Sequence, residues 1–451
     1  MIKVDFTVEK GAMKPLHGVD NAPLKLNMEQ QEFKEAGIPF VRTHDTVSGY
    51  GGAHYVDIPN IFPNFDADEN DAANYDFAFT DAFLKPLFEA GTMPFYRLGV
   101  TIENHYRIKA YNIHPPKDFA KWARICEHVV MHYNEAWADG FKWNVKYWEI
   151  WNEPENPPMW TGTREQYFEL YRVAASHLKK RFPEISVGGY GGCGFYAIDC
   201  DFVGDFHKSF VTWFEDFCKF VVENKLPLDF YSWHLYSNEP AQIIRHADYV
   251  RKTLDSNGLQ KTESIFNEWN FMDRKAPRES FDLMKSNVGA SFVAAAFCLM
   301  QDGPIDKAMY YDATPTRAYC GLFYFPSMKV TPCYYSFKAF NVLYKLGVNV
   351  ASASDVKELF VCAAKDADGN KAVLLANYAD ATQNVDLSLA GAAYADFNVY
   401  RIDAEHHSLD KCGALAASVV PMPPKSVCLL ANNAIAQGTA SENNVKFAGL
   451  G

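Results

Sequence analysis

Between residues 16 and 347, eight short apolar runs alternate with eight longer stretches of helical periodicity, and no other feature limits the fold as strongly. The runs cover 16–19, 38–44, 92–99, 145–152, 185–189, 228–236, 264–269 and 307–312. None keeps a strict period of two, as expected of strands covered on both faces. The helical stretches cover 27–36, 74–90, 116–134, 163–182, 206–224, 241–256, 281–301 and 331–346. The 74–90 stretch stops at Gly91, and the 163–182 stretch opens on Thr163 with Gln166 in capping-box spacing. This alternation predicts an α/β protein built on a closed parallel (β/α)8 TIM barrel.

After Gly347 the pattern changes. Strand-like segments at 359–363, 372–378, 382–389, 396–402 and 426–430 are separated by Asp, Gly and Asn turns. They predict an accessory C-terminal antiparallel β-sandwich, and the strand-like 2–8 segment is expected to join it. The expected division is an N-terminal strand at 1–12, the barrel at 13–347, the sandwich at 348–436 and a tail at 437–451. The tail is rich in Ala, Asn, Gly and Ser and is expected to fray.

The 451 residues are 48% hydrophobic, as in a globular protein, and 15% aromatic, which suits stacking on flat apolar faces such as sugar rings. A net charge of -12 argues against nucleic acid and anionic membranes as partners. The longest apolar stretch, 288–300, is too short to span a bilayer and reads as a buried helix. Ten scattered cysteines form no Cys-x-x-Cys, which argues against a zinc site or redox pair and for buried thiols in a reducing compartment. The first residues read as a strand rather than a signal peptide. A cytoplasmic location is expected, with a periplasmic or secreted one left open should a leader have been removed. The oligomeric state is not legible.

Two carboxylates stand in similar motifs. Glu153 lies in Tyr147-Trp148-Glu149-Ile150-Trp151-Asn152-Glu153-Pro154, and Glu268 in Ser264-Ile265-Phe266-Asn267-Glu268-Trp269-Asn270. Each follows an apolar run and is preceded by Asn. A Glu there is costly to desolvate and needs a partner or a role. They fall at the ends of the fourth and seventh strands, across the mouth where barrel enzymes build their sites. Glycosidic cleavage needs such a pair, one group protonating the leaving oxygen and the other acting on the opposite face of the sugar. Burial among Trp148, Trp151 and Trp160 would help an acid keep its proton. Arg42, His44 and Tyr236 are candidate donors for an ionised nucleophile. His234 and Tyr236 share one strand face, and Asn152 can bond a sugar hydroxyl. Trp160 and Trp269 suit sugar platforms and rim packing equally.

The ordered set of motifs resembles family 39 glycoside hydrolases of clan A, which include β-xylosidases and α-L-iduronidases. The resemblance is carried by Arg42-Thr43-His44, by 148–154, by 167–171 with Val187-Gly188-Gly189, by 229–236, by Glu268-Trp269-Asn270 and by 332–337. It implies Glu153 as acid/base and Glu268 as nucleophile of a retaining hydrolase acting through a glycosyl-enzyme. It also implies a β-sandwich joined by the N-terminal strand, a glycoside or oligosaccharide substrate, and neither metal nor cofactor. Trp269, Asn270 and Tyr311 are expected beside the sugar. Three places depart from the pattern: Asn267 where Thr is frequent, Asp45 where xylosidases have Gly, and 310–315, which lacks a preceding Trp and a following acidic pair. Specificity is therefore open between a β-xylosidase-like enzyme and an arabinosidase, galactosidase or uronidase. Arg317 and Lys307 are candidates for the basic pocket floor a uronidase needs. A weakly catalytic or non-catalytic carbohydrate-binding protein on the same fold is the alternative.

Two further signals carry little weight. Residues 189–194 match Gly-x-Gly-x-x-Gly, but no helix opens there, so a dinucleotide site is not expected. His128 and His132 lie four apart on a helix outside the barrel and read as surface residues.

Overall fold

The computed structural model describes residues 1–46, 54–101, 112–200 and 204–432. The expected end of the sandwich at 436 and the tail at 437–451 lie outside the described residues. Strand β1 spans Ile2–Ala12. Eight parallel strands then close a barrel: β2 (Gly18–Asp20), β3 (Phe40–Thr43), β4 (Met93–Leu98), β5 (Tyr147–Ile150), β6 (Ser186–Gly192), β7 (Phe230–Ser237), β8 (Glu263–Phe271) and β9 (Lys307–Tyr310). Closure comes from β9 pairing with β2, Met309 against Gly18 and Tyr310 against Val19. Each strand falls within two residues of its expected place except β6, which runs three residues further to Gly192, because a short apolar run flanked by helices has few other places to be buried.

The helices form the outer ring. Helix Arg164–Arg181 opens on the expected capping box, with Thr163 accepting from the Gln166 N–H and Gln166 accepting in return. The expected 281–301 helix is in fact two, Pro277–Leu283 and Asn287–Asp302, bent by 85°. The Ser286 side chain caps the second by accepting from the Val288 N–H. No single helix among the described residues is long and apolar enough to cross a membrane.

The remaining strands are β10 (Val348–Ser354), β11 (Leu359–Lys365), β12 (Lys371–Asn377), β13 (Gln383–Ala390), β14 (Asn398–Ile402), β15 (Asp410–Ala414), β16 (Val419–Met422) and β17 (Ser426–Ala431). With β1 they form a nine-stranded sheet in the order β15-β14-β17-β12-β11-β10-β1-β13-β16. The pairing is antiparallel except between β1 and β13. Along β12, Val373 and Leu375 enter a core of the sheet's own with Ile2, Val4 and Phe6, while Ala372, Leu374 and Ala376 join the barrel core. This is the period-two division of a sheet covered on both faces. The apolar helix Asn287–Asp302 is the barrel's side of that contact: Phe292 packs against Tyr378, and Asn287 Nδ2 donates to the Lys425 carbonyl at 2.9 Å.

Candidate active site

Arg42, on β3, organises the floor of the barrel. Its Nε donates to Glu149 Oε2 at 2.8 Å, its Nη1 to Glu268 Oε2 at 3.1 Å and its Nη2 to Asn152 Oδ1 at 2.5 Å. Asp20, at the end of β2, lies 3.6 Å from Nη1. Burial opposes the Arg42 charge, but Glu149, Asp20 and Glu268 overcome it and raise the pKa further. Glu268 is thus held by a permanent cation on one oxygen. Tyr236 holds the other, its hydroxyl donating to Oε1 at 2.7 Å. Both restraints fix the orientation of the carboxylate.

Glu153 stands beyond β5, at φ 44°, its side chain 17% exposed. Its N–H is shared between the carbonyls of Tyr190 and Gly191, at 3.1 and 3.0 Å. His234 Nδ1 lies 2.8 Å from Glu153 Oε1 and 3.5 Å from Glu268 Oε2. Burial raises the Glu153 pKa, but His234, with Asn156 and Cys193, outweighs it and holds the carboxyl below its ordinary value, so burial among tryptophans does not keep the free acid protonated as expected. Asn156 Nδ2 donates to its second oxygen at 3.1 Å. One oxygen of each Glu and one His234 nitrogen lie within 4.8 Å of one another. Such a triad has metal-ligand spacing, but the Arg42 guanidinium on Glu268 opposes a second cation there.

The rim joins the loops after β3 and β9. Tyr311 donates to Asp45 Oδ2 at 2.9 Å, and His44 Nε2 lies 3.3 Å from the same oxygen and 4.0 Å from Glu268 Oε2. Burial, then the Arg42 and Arg97 charges, lower the His44 pKa well below normal, so the ring is neutral. Asn270 Nδ2 donates to the carbonyls of Tyr311 and Tyr319. It therefore braces the loop after β9 from beneath, rather than reaching a sugar as expected.

Arg42, His44, Asn152, Glu153, His234, Tyr236, Glu268 and Tyr311 converge; other expected site residues do not. Trp269 follows inward-facing Glu268, so it faces outward, fully buried against Phe297 and Tyr310. Trp160 is 2% exposed, its ring centroid 5.0 Å from that of Trp151 and its Nε1 donating to the Thr163 carbonyl. Both are packing residues, not sugar platforms. Lys307 begins β9 at the opposite end of the barrel and pairs with Glu263 at 2.8 Å. Arg317 is exposed beside Asp282, so neither basic residue forms a pocket floor. His132 and His128 are buried rather than on the surface: His132 stacks on Phe77 and bonds Asp81. Residues 186–192 are strand β6, and among the described residues after 189–194 the next α-helix opens at Asp205.

The sequence reading missed three contributors. Glu149 lies inside a quoted motif, yet its position four residues before Glu153 gave no sign that it faces the barrel interior. It also accepts from Ser232 Oγ and Asn267 Nδ2, each at 2.6 Å, which accounts for Asn267. Asp20 is fully buried, and burial raises its pKa well above normal against the pull of Arg42. Gly191 sits at φ 63°, where a Cβ would lie 3.0 Å from Arg42 Nη2, 3.1 Å from Asn152 Oδ1 and 3.2 Å from His234 Nε2. The glycine-rich 189–194 segment was the signal for it: the backbone there passes close to the site.

A parallel barrel carrying two restrained carboxylates at the C-terminal ends of its fourth and seventh strands has the architecture of a glycoside-cleaving enzyme. The chain belongs to glycosyl hydrolases family 39, whose model matches residues 20–273. A β-xylosidase from Caldicellulosiruptor saccharolyticus is 26% identical over 313 residues, covering 64% of this chain and 56% of the relative. A β-xylosidase from Geobacillus stearothermophilus is 29% identical over 217 residues, covering 46% of this chain and 38% of the relative. The chain thus matches about half or less of these curated relatives' length. The fold is shared with a glucosidase from Croceicoccus marinus, at a TM-score of 0.77 and 22% identity over 95% of this chain and 98% of that one.

Proposed function

We propose that this protein is a retaining glycoside hydrolase working by double displacement. The carrying observation is the approach of Glu153 and Glu268, an oxygen of each lying within 4.8 Å of the other. Retaining enzymes hold their carboxyl groups about 5–5.5 Å apart, whereas inverting ones leave about 6.5–9.5 Å for a water. Glu268, oriented by Arg42 and Tyr236, attacks the anomeric carbon while Glu153 protonates the departing oxygen. The glycosyl–Glu268 ester is then cleaved by a water that Glu153 deprotonates, which regenerates both groups. His234 lies against both carboxylates and keeps them facing one another. Asn152, its oxygen taken by Arg42, turns its Nδ2 end to a sugar hydroxyl. The β-xylosidase relatives favour a glycoside of that kind. The ten free cysteines, eight of them buried, support a cytoplasmic setting.

Aryl glycosides (β-xyloside, α-arabinoside, β-galactoside, β-glucoside and α-iduronide) test this reading, with the product anomer followed by proton NMR. Turnover with retention is expected, lost by a factor on the order of 10⁴ in Glu268→Gln. An inverted product, or full activity in that variant, would overturn the mechanism. Glycan binding without turnover would mark a carbohydrate-binding protein instead.

A further inference from the structure

Tyr319, on the loop after β9, is a large aromatic side chain left 38% exposed beside the site. It sits at φ 57°, where a bulky residue persists only if its surroundings hold it there. They do: its carbonyl accepts from Asn270 Nδ2 at 2.6 Å and from the Asp312 N–H at 3.3 Å. Its ring centroid lies 5.8 Å from that of Tyr236, 5.7 Å from that of Tyr311 and 5.1 Å from that of Phe281, on helix Pro277–Leu283. None of the three rings is stacked parallel on it. Its hydroxyl has no hydrogen-bond partner among the described residues. Burial, and then the Glu268 charge, raise that hydroxyl's pKa, so the ring lies within the field of the nucleophile.

The three tyrosines form two layers. Tyr236 and Tyr311 make the inner one, and their hydroxyls are committed, one to Glu268 and the other to Asp45. Tyr319 packs against both from outside and is the exposed member. A glycosyl unit attacked by Glu268 lies against the inner layer, and Tyr319 stands one ring further out, where the next unit of a chain comes. A pyranose ring presents C–H groups on its faces and hydroxyls around its edge. An exposed aromatic face takes the first, and a free phenol hydroxyl takes the second. The surface continues beyond it: Asp282, the neighbour of Phe281, lines a cleft of about 410 Å³ together with Tyr324 and Phe325, and Phe325 is 61% exposed. That volume admits further sugar units.

We infer that Tyr319 is the platform of a second subsite: it binds the glycosyl unit next to the one held on Glu268, so that the substrate is an oligosaccharide rather than the glycoside of a small alcohol. This rests on the glycosidase reading above and names the substrate class within it.

The test compares kcat/KM for xylobiose with that for β-xylosyl fluoride, whose leaving group has no ring, in the wild-type protein, Tyr319→Ala and Tyr319→Trp. If the aryl panel selects another sugar, its disaccharide and fluoride take their place. Tyr319→Ala should lower the disaccharide-to-fluoride ratio about 10-fold, whereas Tyr319→Trp, which keeps an aromatic face, should hold it within about 3-fold of wild type. A ratio unchanged in Tyr319→Ala, whether both substrates slow equally or neither does, would overturn the inference. If no glycoside turns over, the glycosidase reading fails. Tyr319 is then judged by calorimetric binding of xylose and xylotriose to wild type and Tyr319→Ala. Xylotriose bound more tightly than xylose, with that advantage lost in the variant, would uphold the subsite. Equal binding of the two, an advantage kept in the variant, or no binding would end it.

Discussion

Glu149 and Arg42 form a fully buried ion pair, Oε2 to Nε at 2.8 Å, and the same guanidinium continues to Glu268. Breaking a buried pair from one side leaves an uncompensated charge and costs about 3–5 kcal/mol. Arg42→Met should therefore depress the melting temperature strongly. Arg42→Lys keeps the charge but not the planar fork that serves three partners. It should fold, yet lose about 100-fold in kcat/KM because Glu268 is no longer held in place. Thermal melts beside kinetics separate the two effects, and wild-type kinetics in Arg42→Lys would contradict the positioning role.

His234 holds the Glu153 carboxyl below its ordinary value against the opposing effect of burial. A general acid loses activity as pH rises through its pKa. Removing the imidazole removes the lowering influence, so His234→Ala should move the alkaline limb of the kcat/KM profile to higher pH while reducing its height. An alkaline limb that stays in place would show that another group sets it.

Burial pushes Asp312 up to about 8 in the folded chain, from an ordinary value of 3.8. Between these values the folded state keeps a proton that the unfolded state has released. Asp312's contribution to stability is thus complete below pH 3.8 and lost as pH rises towards 8. Asp312→Asn, which keeps the shape without the ionisation, should raise the melting temperature relative to wild type more at pH 8 than at pH 5. Equal differences at the two pH values would refute this.

Gly191 is the place where a single methyl group should reach the chemistry. At φ 63° an L-residue costs roughly 1–2 kcal/mol, and the new Cβ would press on Arg42, Asn152 and His234 together. Gly191→Ala should lose activity far out of proportion to stability. As a contrasting control, Thr163→Ala removes a helix cap on the outer ring. It should cost about 1 kcal/mol and leave kcat/KM unchanged.

The barrel was legible because each strand is a short apolar run between long helical stretches, and Glu153 and Glu268 were legible because their motifs sit at strand ends. The sheet was read less completely. Strand β10 follows its helix after a single glycine and contains Asn349, Ser352 and Ser354 among small residues. Strands β15 and β16 are the two edges of the sheet, mostly exposed in β15 and carrying Pro421 in β16, where edges tolerate what interior strands do not. Trp269, which the sequence leaves open between sugar platform and packing, is decided by its full burial against Phe297 and Tyr310. Glu149, Asp20 and Gly191 escaped because their roles depend on which strands meet across the barrel, a relation that spacing along the chain does not carry.

Strand β1 lies between β10 and β13, paired with segments that the ribosome adds only after the whole barrel. At about 5–20 residues per second, that delay is on the order of tens of seconds. Throughout it, Ile2, Val4 and Phe6 have no sheet to enter. The nascent chain must therefore shelter β1, on a chaperone or against the forming barrel, until β10 and β13 arrive to receive it.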